Sequence, residues 1–209
     1  PNLECIMAVL QNAEIYNIPV IIAHAQVHEN VMPLETIGPV MVLCAKRSKV
    51  PVCVHLDHGE SLDYIEKALE LGFTSVMYDG SRLSFEENVE NTLMVVNMAR
   101  KYGAGIEAEI GVMGSSIDSS EGVKGERGIY TDPEDARKFI ELTNVDALAA
   151  SFGTIHGIYA EKPQLDFQRI EYIKELTKTP LVMHGGSGLS RDDYIKAIEK
   201  GIRKINYYT

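Results

Sequence analysis

Short apolar runs rich in Val, Ile and Ala alternate along the chain with longer stretches in which apolar residues return every three or four positions. That alternation predicts βα units feeding a parallel sheet. The runs predict strands over 19–25, 51–57, 74–79, 105–110, 145–151, 180–184 and 203–208, and helices beginning near Leu3, Leu34, Ser61, Ser84, Asp132, Asp166 and Ser190. Ser84 with Glu87, and Thr131 with Glu134, have the spacing of capping boxes, and Pro133 falls in a first helical turn, where its missing N–H costs nothing. Gly72 and Gly103 follow two of the helices, where a left-handed closing residue is wanted.

A doubly wound open sheet and a closed (β/α)8 TIM barrel both fit this alternation. Every predicted βα loop opens with a polar or ionisable residue, as if all the loops face one site, and this favours the barrel. No Pro/Ser-rich linker or low-complexity stretch divides the chain, so one domain over 1–209 is expected. Such a barrel takes about 250 residues and eight strands. The chain has 209 residues, opens in a helix and closes in a strand, so the expectation is a TIM barrel lacking its first strand and last helix. The longest stretch without periodicity, 111–128, has the composition of an active-site flap.

Composition narrows the partners. Hydrophobic residues at 45% supply a substantial core, and 30 acidic against 20 basic side chains give a formal charge of −10. That is the wrong sign for nucleic acid or an anionic membrane surface. Three cysteines, Cys5, Cys44 and Cys53, without CxxC spacing, point to a reducing cytoplasm. No apolar run approaches the roughly 18 residues of a membrane span.

The candidate chemistry sits at strand ends: Asp57 and His58, Asp79, Glu107 and Glu109, His184, with His156 beyond another. In a barrel these ends meet at one rim, and three imidazoles with carboxylates make a reasonable zinc set. A single such histidine is more often a hydrogen-bonded structural residue, and the spacing is not a local metal motif. The run His184-Gly185-Gly186-Ser187-Gly188, between a strand and a helix, can cradle a phosphate on backbone N–H groups. A plain flexible turn is the competing reading. His24 and His28 are read as one rim residue and one solvated residue; Met77, Met94 and Met98 are read as core.

Val54-His55-Leu56-Asp57-His58-Gly59, Glu107-Ala108-Glu109-Ile110-Gly111, Gly153-Thr154-Ile155-His156-Gly157, His184-Gly185-Gly186-Ser187-Gly188 and Lys204-Ile205-Asn206 resemble the class II ketose-bisphosphate aldolases, which include the fructose- and tagatose-bisphosphate enzymes. The resemblance implies a zinc-dependent barrel of carbohydrate metabolism. It would split a ketose 1,6-bisphosphate into dihydroxyacetone phosphate and an aldehyde through a metal-stabilised enediolate. It assigns His58, His156 and His184 as zinc ligands, Asp57 as the acid/base at the C4 hydroxyl, and Asp79 and Glu109 as donors to a second or displaced metal. Gly157, Gly185, Gly186, Ser187, Asn206, Tyr207, Tyr208 and Thr209 match substrate-binding positions, with a monovalent cation beside them. It further implies a cytoplasmic homodimer or homotetramer.

Three departures from the family pattern bear on substrate. The flap reads Gly114-Ser115-Ser116-Ile117-Asp118, leaving Asp118, Glu121 or Glu126 as proton carrier. Strand 19–25 ends in His24-Ala25 where relatives present a serine to phosphate, so His24 is a candidate replacement. Tyr207 and Tyr208 stand where small or acidic residues are usual. A non-catalytic phosphosugar-binding protein on the same scaffold is the alternative reading.

Overall fold

The computed structural model describes residues 2–111, 114–115, 123–124, 130–156 and 163–208. The chain divides into two compact units, Pro1–Asp79 with Met94–Ile106, and Gly80–Leu93 with Glu107–Thr209. The first holds α1 (Leu3–Tyr16), β1 (Val20–Ala25), a 3-10 turn (Gln26–His28), α2 (Leu34–Arg47), β2 (Val52–Gly59), α3 (Leu62–Glu70) and β3 (Ser75–Asp79). Helix α4 (Phe85–Tyr102) and strand β4 (Gly105–Ile110) each contribute residues to both units. The second unit holds β5 (Gly114–Ser115), β6 (Val123–Lys124), α5 (Pro133–Thr143), β7 (Ala147–Ala150), β8 (Ile155–His156), α6 (Phe167–Thr177), β9 (Leu181–Met183), α7 (Arg191–Lys200) and β10 (Ile202–Ile205).

Strand order decides between the two architectures. It runs β1-β2-β3-β4 and then β4-β7-β9-β10, in chain sequence without a reversal. A doubly wound sheet reverses its order at a switch point. Sequential parallel order is that of the (β/α)8 barrel class, and seven of its strands lie among the described residues. The short strands β6-β5-β8 form a separate parallel set in the second unit.

In the first unit Val54 and Leu56 of β2 and Val76 of β3 are buried with Ile65, Ala68 and Leu69 of α3. These helix positions recur at three and four residues, one face of a 3.6-residue period. In the second unit Phe139, Leu148, Ile170, Ile173 and Val182 are fully buried. Each large aliphatic removed from water is worth about 1.5–3 kcal/mol, so the apolar runs that mark the strands also hold the helices to them.

Four local expectations are corrected. Thr131 does not cap α5; Asp132 does, accepting from Glu134 N and Asp135 N at 2.8 and 3.2 Å. The Thr131 hydroxyl is used between strands, donating to Ile110 O and accepting from Ser151 N. The last strand ends at Ile205, so Asn206, Tyr207 and Tyr208 lie beyond it. Met94 is exposed rather than core. Strand β2 continues through His58 to Gly59, past the expected end at Asp57. The Ser84–Glu87 box is present as expected.

Candidate active site

Adjacent residues on a strand point to opposite faces, yet Asp57 and His58 point the same way. His55, two residues before Asp57, bonds Ser75 Oγ through Nδ1 at 2.9 Å. Ser75 and Asp79 are four apart on β3 and so share a face. His58 Nδ1 meets Asp79 Oδ2 at 2.8 Å, which puts His58 on that face as well. The cause is a bulge: Leu56 pairs with Val76 and Gly59 with Tyr78, so Asp57 and His58 together oppose Met77 alone. His58 takes a left-handed φ of 45°, and its N–H reaches Met77 Sδ at 3.4 Å. Bulges of this kind re-aim side chains beside active sites. Gly59 must be glycine, because a Cβ there would lie 2.7 Å from Met77 O. Asp57 has His55 Nε2 at 3.7 Å from Oδ1.

The second unit gathers its ionisable groups by simple alternation. Glu107 and Glu109 of β4 pair with Ala147 and Ala149 of β7, whose small side chains leave room on that face. Ala149 pairs with Val182, and two residues further along lies His184. His184 Nε2 meets Glu107 Oε1 at 2.9 Å, and Lys204 Nζ meets Glu107 Oε2 at 2.8 Å. The Lys204 and Glu107 side chains are 13% and 3% exposed, so this ion pair is largely withdrawn from water. Asn206 Nδ2 stands 3.3 Å from His184 Nδ1, and the His156 ring is edge-on to His184 with centroids 5.8 Å apart. Lys204 was absent from the expected candidates, and Glu107 was named among the strand-end carboxylates without a role. Their signal was present in the alternation of β4 and β10, but which strands adjoin is a tertiary fact.

The glycine-rich turn follows His184. Gly185 has φ 64°, and a Cβ on it would lie 2.3 Å from Ile155 O, so only glycine lets this loop lie against β8. The carbonyl of Gly186 accepts from Leu189 N at 3.2 Å and from the Tyr194 hydroxyl. Ser187 Oγ accepts from Tyr208 N at 3.1 Å and donates to Tyr208 O, which ties the loop to the segment after β10. Tyr207 and Tyr208 have exposed side chains, and burial pushes the Tyr194 phenol up. Gly157, Thr209 and the flap candidates Asp118, Glu121 and Glu126 lie outside the described residues.

His24 is not a rim residue. It is fully buried and bonds Tyr64 OH of α3 through Nε2 at 3.1 Å, on the helix side of β1, and burial pushes its imidazole down to about 4. The strand register explains this: His24 pairs with Leu56, a core position, whereas Ala25 pairs with Asp57. His28 is half-buried rather than solvated, and burial lowers its pKa.

Histidine and carboxylate donors able to hold a metal ion include His58, His156, His184, Asp79 and Glu109. The donor set fits zinc chemically. His58 and His184 each share one ring nitrogen with a carboxylate, an arrangement that in metal sites fixes the tautomer of a ligating imidazole.

The model of the family described as "Fructose-bisphosphate aldolase class-II" matches residues 1–209. The chain belongs to this family. It is 44% identical over 208 residues to the sulfofructosephosphate aldolase of Alkalicoccus urumqiensis, covering 100% of this chain and 72% of that protein. It is 40% identical over 213 residues to the "Probable fructose-bisphosphate aldolase" of Bacillus subtilis (strain 168), covering 100% and 73%. Among solved structures, the YdjI aldolase from Escherichia coli K12 matches with a TM-score of 0.84 and 34% identity, over 99% of this chain and 72% of that one. The protein is accordingly a lyase of the aldolase type with a TIM-barrel-class fold. Among its described residues no helix is long and apolar enough to cross a membrane.

Proposed function

We propose that this aldolase is zinc-dependent and cleaves a ketose 1,6-bisphosphate of the fructose or tagatose type to dihydroxyacetone phosphate and an aldehyde. The observation that carries the reading is the paired carboxylate–imidazole arrangement, His58 with Asp79 and His184 with Glu107, in the described part of a class II aldolase. His58, His156 and His184 are the proposed zinc ligands, with Asp79 and Glu109 as donors to a second divalent ion. Zinc, when bound, supplies a Lewis acid that stabilises negative charge developing on the oxygens of the cleaved ketose.

The chain's own groups do the rest. Asp57 takes the C4 hydroxyl proton as the C3–C4 bond breaks, and His55, held by Ser75, stands beside its carboxylate. Backbone N–H groups of Gly185, Gly186 and Ser187, with Gly157 and Thr209, hold the phosphate of the dihydroxyacetone portion, and a monovalent cation adjoins them. Asn206 orients the same portion. Tyr207 and Tyr208 line the distal end of the sugar. The flap supplies the proton that completes the triose phosphate. The cytoplasm is the proposed compartment and a homodimer or homotetramer the proposed assembly.

The relatives differ by name at one end of the sugar, sulfofructose phosphate against fructose bisphosphate. The test is therefore a coupled assay for released triose phosphate with fructose 1,6-bisphosphate, tagatose 1,6-bisphosphate and 6-deoxy-6-sulfofructose 1-phosphate, alongside zinc analysis. Replacement of His184 by Ala should remove bound zinc and cleavage together. Undiminished turnover in that variant would end the reading, and saturation without product from any of the sugars would favour the non-catalytic binding protein instead.

A further inference from the structure

The bulge that turns Asp57 and His58 to one face leaves β2 with a left-handed residue and an abrupt end at Gly59. A non-glycine residue at φ 45° needs its surroundings to hold it there. Two residues of the loop after β1, Gln26 and Glu29, do so from across the register. Gln26 Oε1 accepts from Glu60 N at 2.9 Å and from Ser61 N at 3.3 Å, the two amides that follow Gly59. Gln26 is itself placed because it follows Ala25, the residue paired with Asp57. The loop carrying it is fastened at its far side by Glu29, whose Oε2 accepts from Tyr64 OH at 2.6 Å and from Leu34 N at 2.8 Å. Tyr64 also meets the buried His24 Nε2 at 3.1 Å.

We propose that Gln26 is a positioning residue for the aldol cleavage. By accepting the Glu60 and Ser61 amides it holds the strand end that keeps Asp57 and His58 on one face, and the Glu29–Tyr64–His24 chain anchors the loop that carries it. The proposal rests on the reading of Asp57 as acid/base and His58 as metal ligand. It gives the buried His24 a role beyond core packing, as the far end of the chain that anchors this loop.

The experiment compares wild type, Gln26→Ala and Gln26→Glu in the full chain. Glutamate keeps an oxygen that can accept both amides and alanine keeps none. Three quantities are read: amide hydrogen exchange at Glu60 and Ser61, zinc affinity by chelator competition, and kcat and KM separately. Gln26→Ala should speed exchange at both amides. It should weaken zinc by roughly 10–100-fold, the usual cost of losing a group that orients a metal ligand. It should also lower kcat by more than it raises KM, since misplacement of reacting groups acts on the chemical step. Gln26→Glu should restore all three toward wild type. Wild-type exchange, zinc affinity and kcat in Gln26→Ala would overturn the proposal. So would losses that accompany a lowered melting temperature and are not rescued by glutamate, because those mark a purely structural residue. If wild type itself neither binds zinc nor cleaves, the functional reading fails, and Gln26 with it; that result is distinct from an active wild type matched by Gln26→Ala.

Discussion

His184 shares a 2.9 Å hydrogen bond with Glu107, a residue 77 positions away, and Glu107 is held on its other oxygen by Lys204. The carboxylate is buried, so its charge needs paired, hydrogen-bonded partners such as these. Lys204→Met should therefore destabilise the metal-free protein by about 3–5 kcal/mol, the usual result of removing one partner from a buried pair. Urea unfolding measures this, and a loss under about 1 kcal/mol, typical of surface pairs, would show the pair to be effectively solvated.

Asp57 and His58 are neighbours in sequence and should part company in function. Asp57→Asn is expected to lower kcat by about 100- to 10,000-fold, the range for loss of a general base, with zinc content unchanged. His58→Ala should lose zinc and turnover together. Metal analysis of the two purified variants separates the roles, and zinc loss in Asp57→Asn would move Asp57 into the ligand set.

Gly185 should accept no side chain. Its φ of 64° and the 2.3 Å approach of Ile155 O leave no room for a Cβ. Gly185→Ala should cost at least about 1–3 kcal/mol in backbone strain alone and displace β8, which carries His156. Calorimetry on metal-free protein reads the first effect and zinc titration the second; a variant with wild-type values in both would refute the packing described.

Tyr194 lies outside the expected site, but its hydroxyl donates to the carbonyl of Gly186 in the glycine-rich loop proposed to hold phosphate. Tyr194→Phe removes that one group and keeps the ring. KM for the phosphorylated ketose and the inhibition constant of inorganic phosphate should both rise, with kcat little changed. An unaltered phosphate constant would show that the loop holds its shape without the tyrosine.

Acid should weaken the fold through His24. Burial pushes its imidazole down to about 4 in the folded chain, against about 6.5 when unfolded. Below pH 6.5 the unfolded state takes up a proton that the folded state refuses until about pH 4, so stability is full above 6.5 and falls across that window. Glu29 adds to the loss at still lower pH, because the Tyr64 hydrogen bond holds its carboxyl below the usual range. His24→Gln removes the first contribution, so the stability gap between wild type and variant should narrow as pH drops from 7 to 4. A gap constant with pH, measured by urea titrations, would contradict this.

The strands and helices were largely legible in the chain because each depends on local period and on caps such as Ser61, Asp166 and Ser190, which do cap their helices. The presence of a glycine-rich turn after His184 was legible for the same reason, although its contacts with Ile155 and Tyr208 were not. Thr131 misled, since a threonine three residues before a glutamate has the local look of a cap while its hydroxyl had a stronger use between two strands. His24 misled likewise, because a strand end says nothing about which face the strand buries until its register with β2 is known.

By itself the sequence determined the βα alternation and the glycine-rich turn after His184, which follow from period and glycine content, and it named the candidate donors by their side-chain chemistry. Only the tertiary structure decided that Lys204 and Glu107 stand behind His184, that a bulge opposite Met77 brings Asp57 and His58 to one face, and that Gln26 holds the end of that strand. These depend on register and strand order, which are settled by packing among residues far apart in the chain and leave no mark in any local pattern.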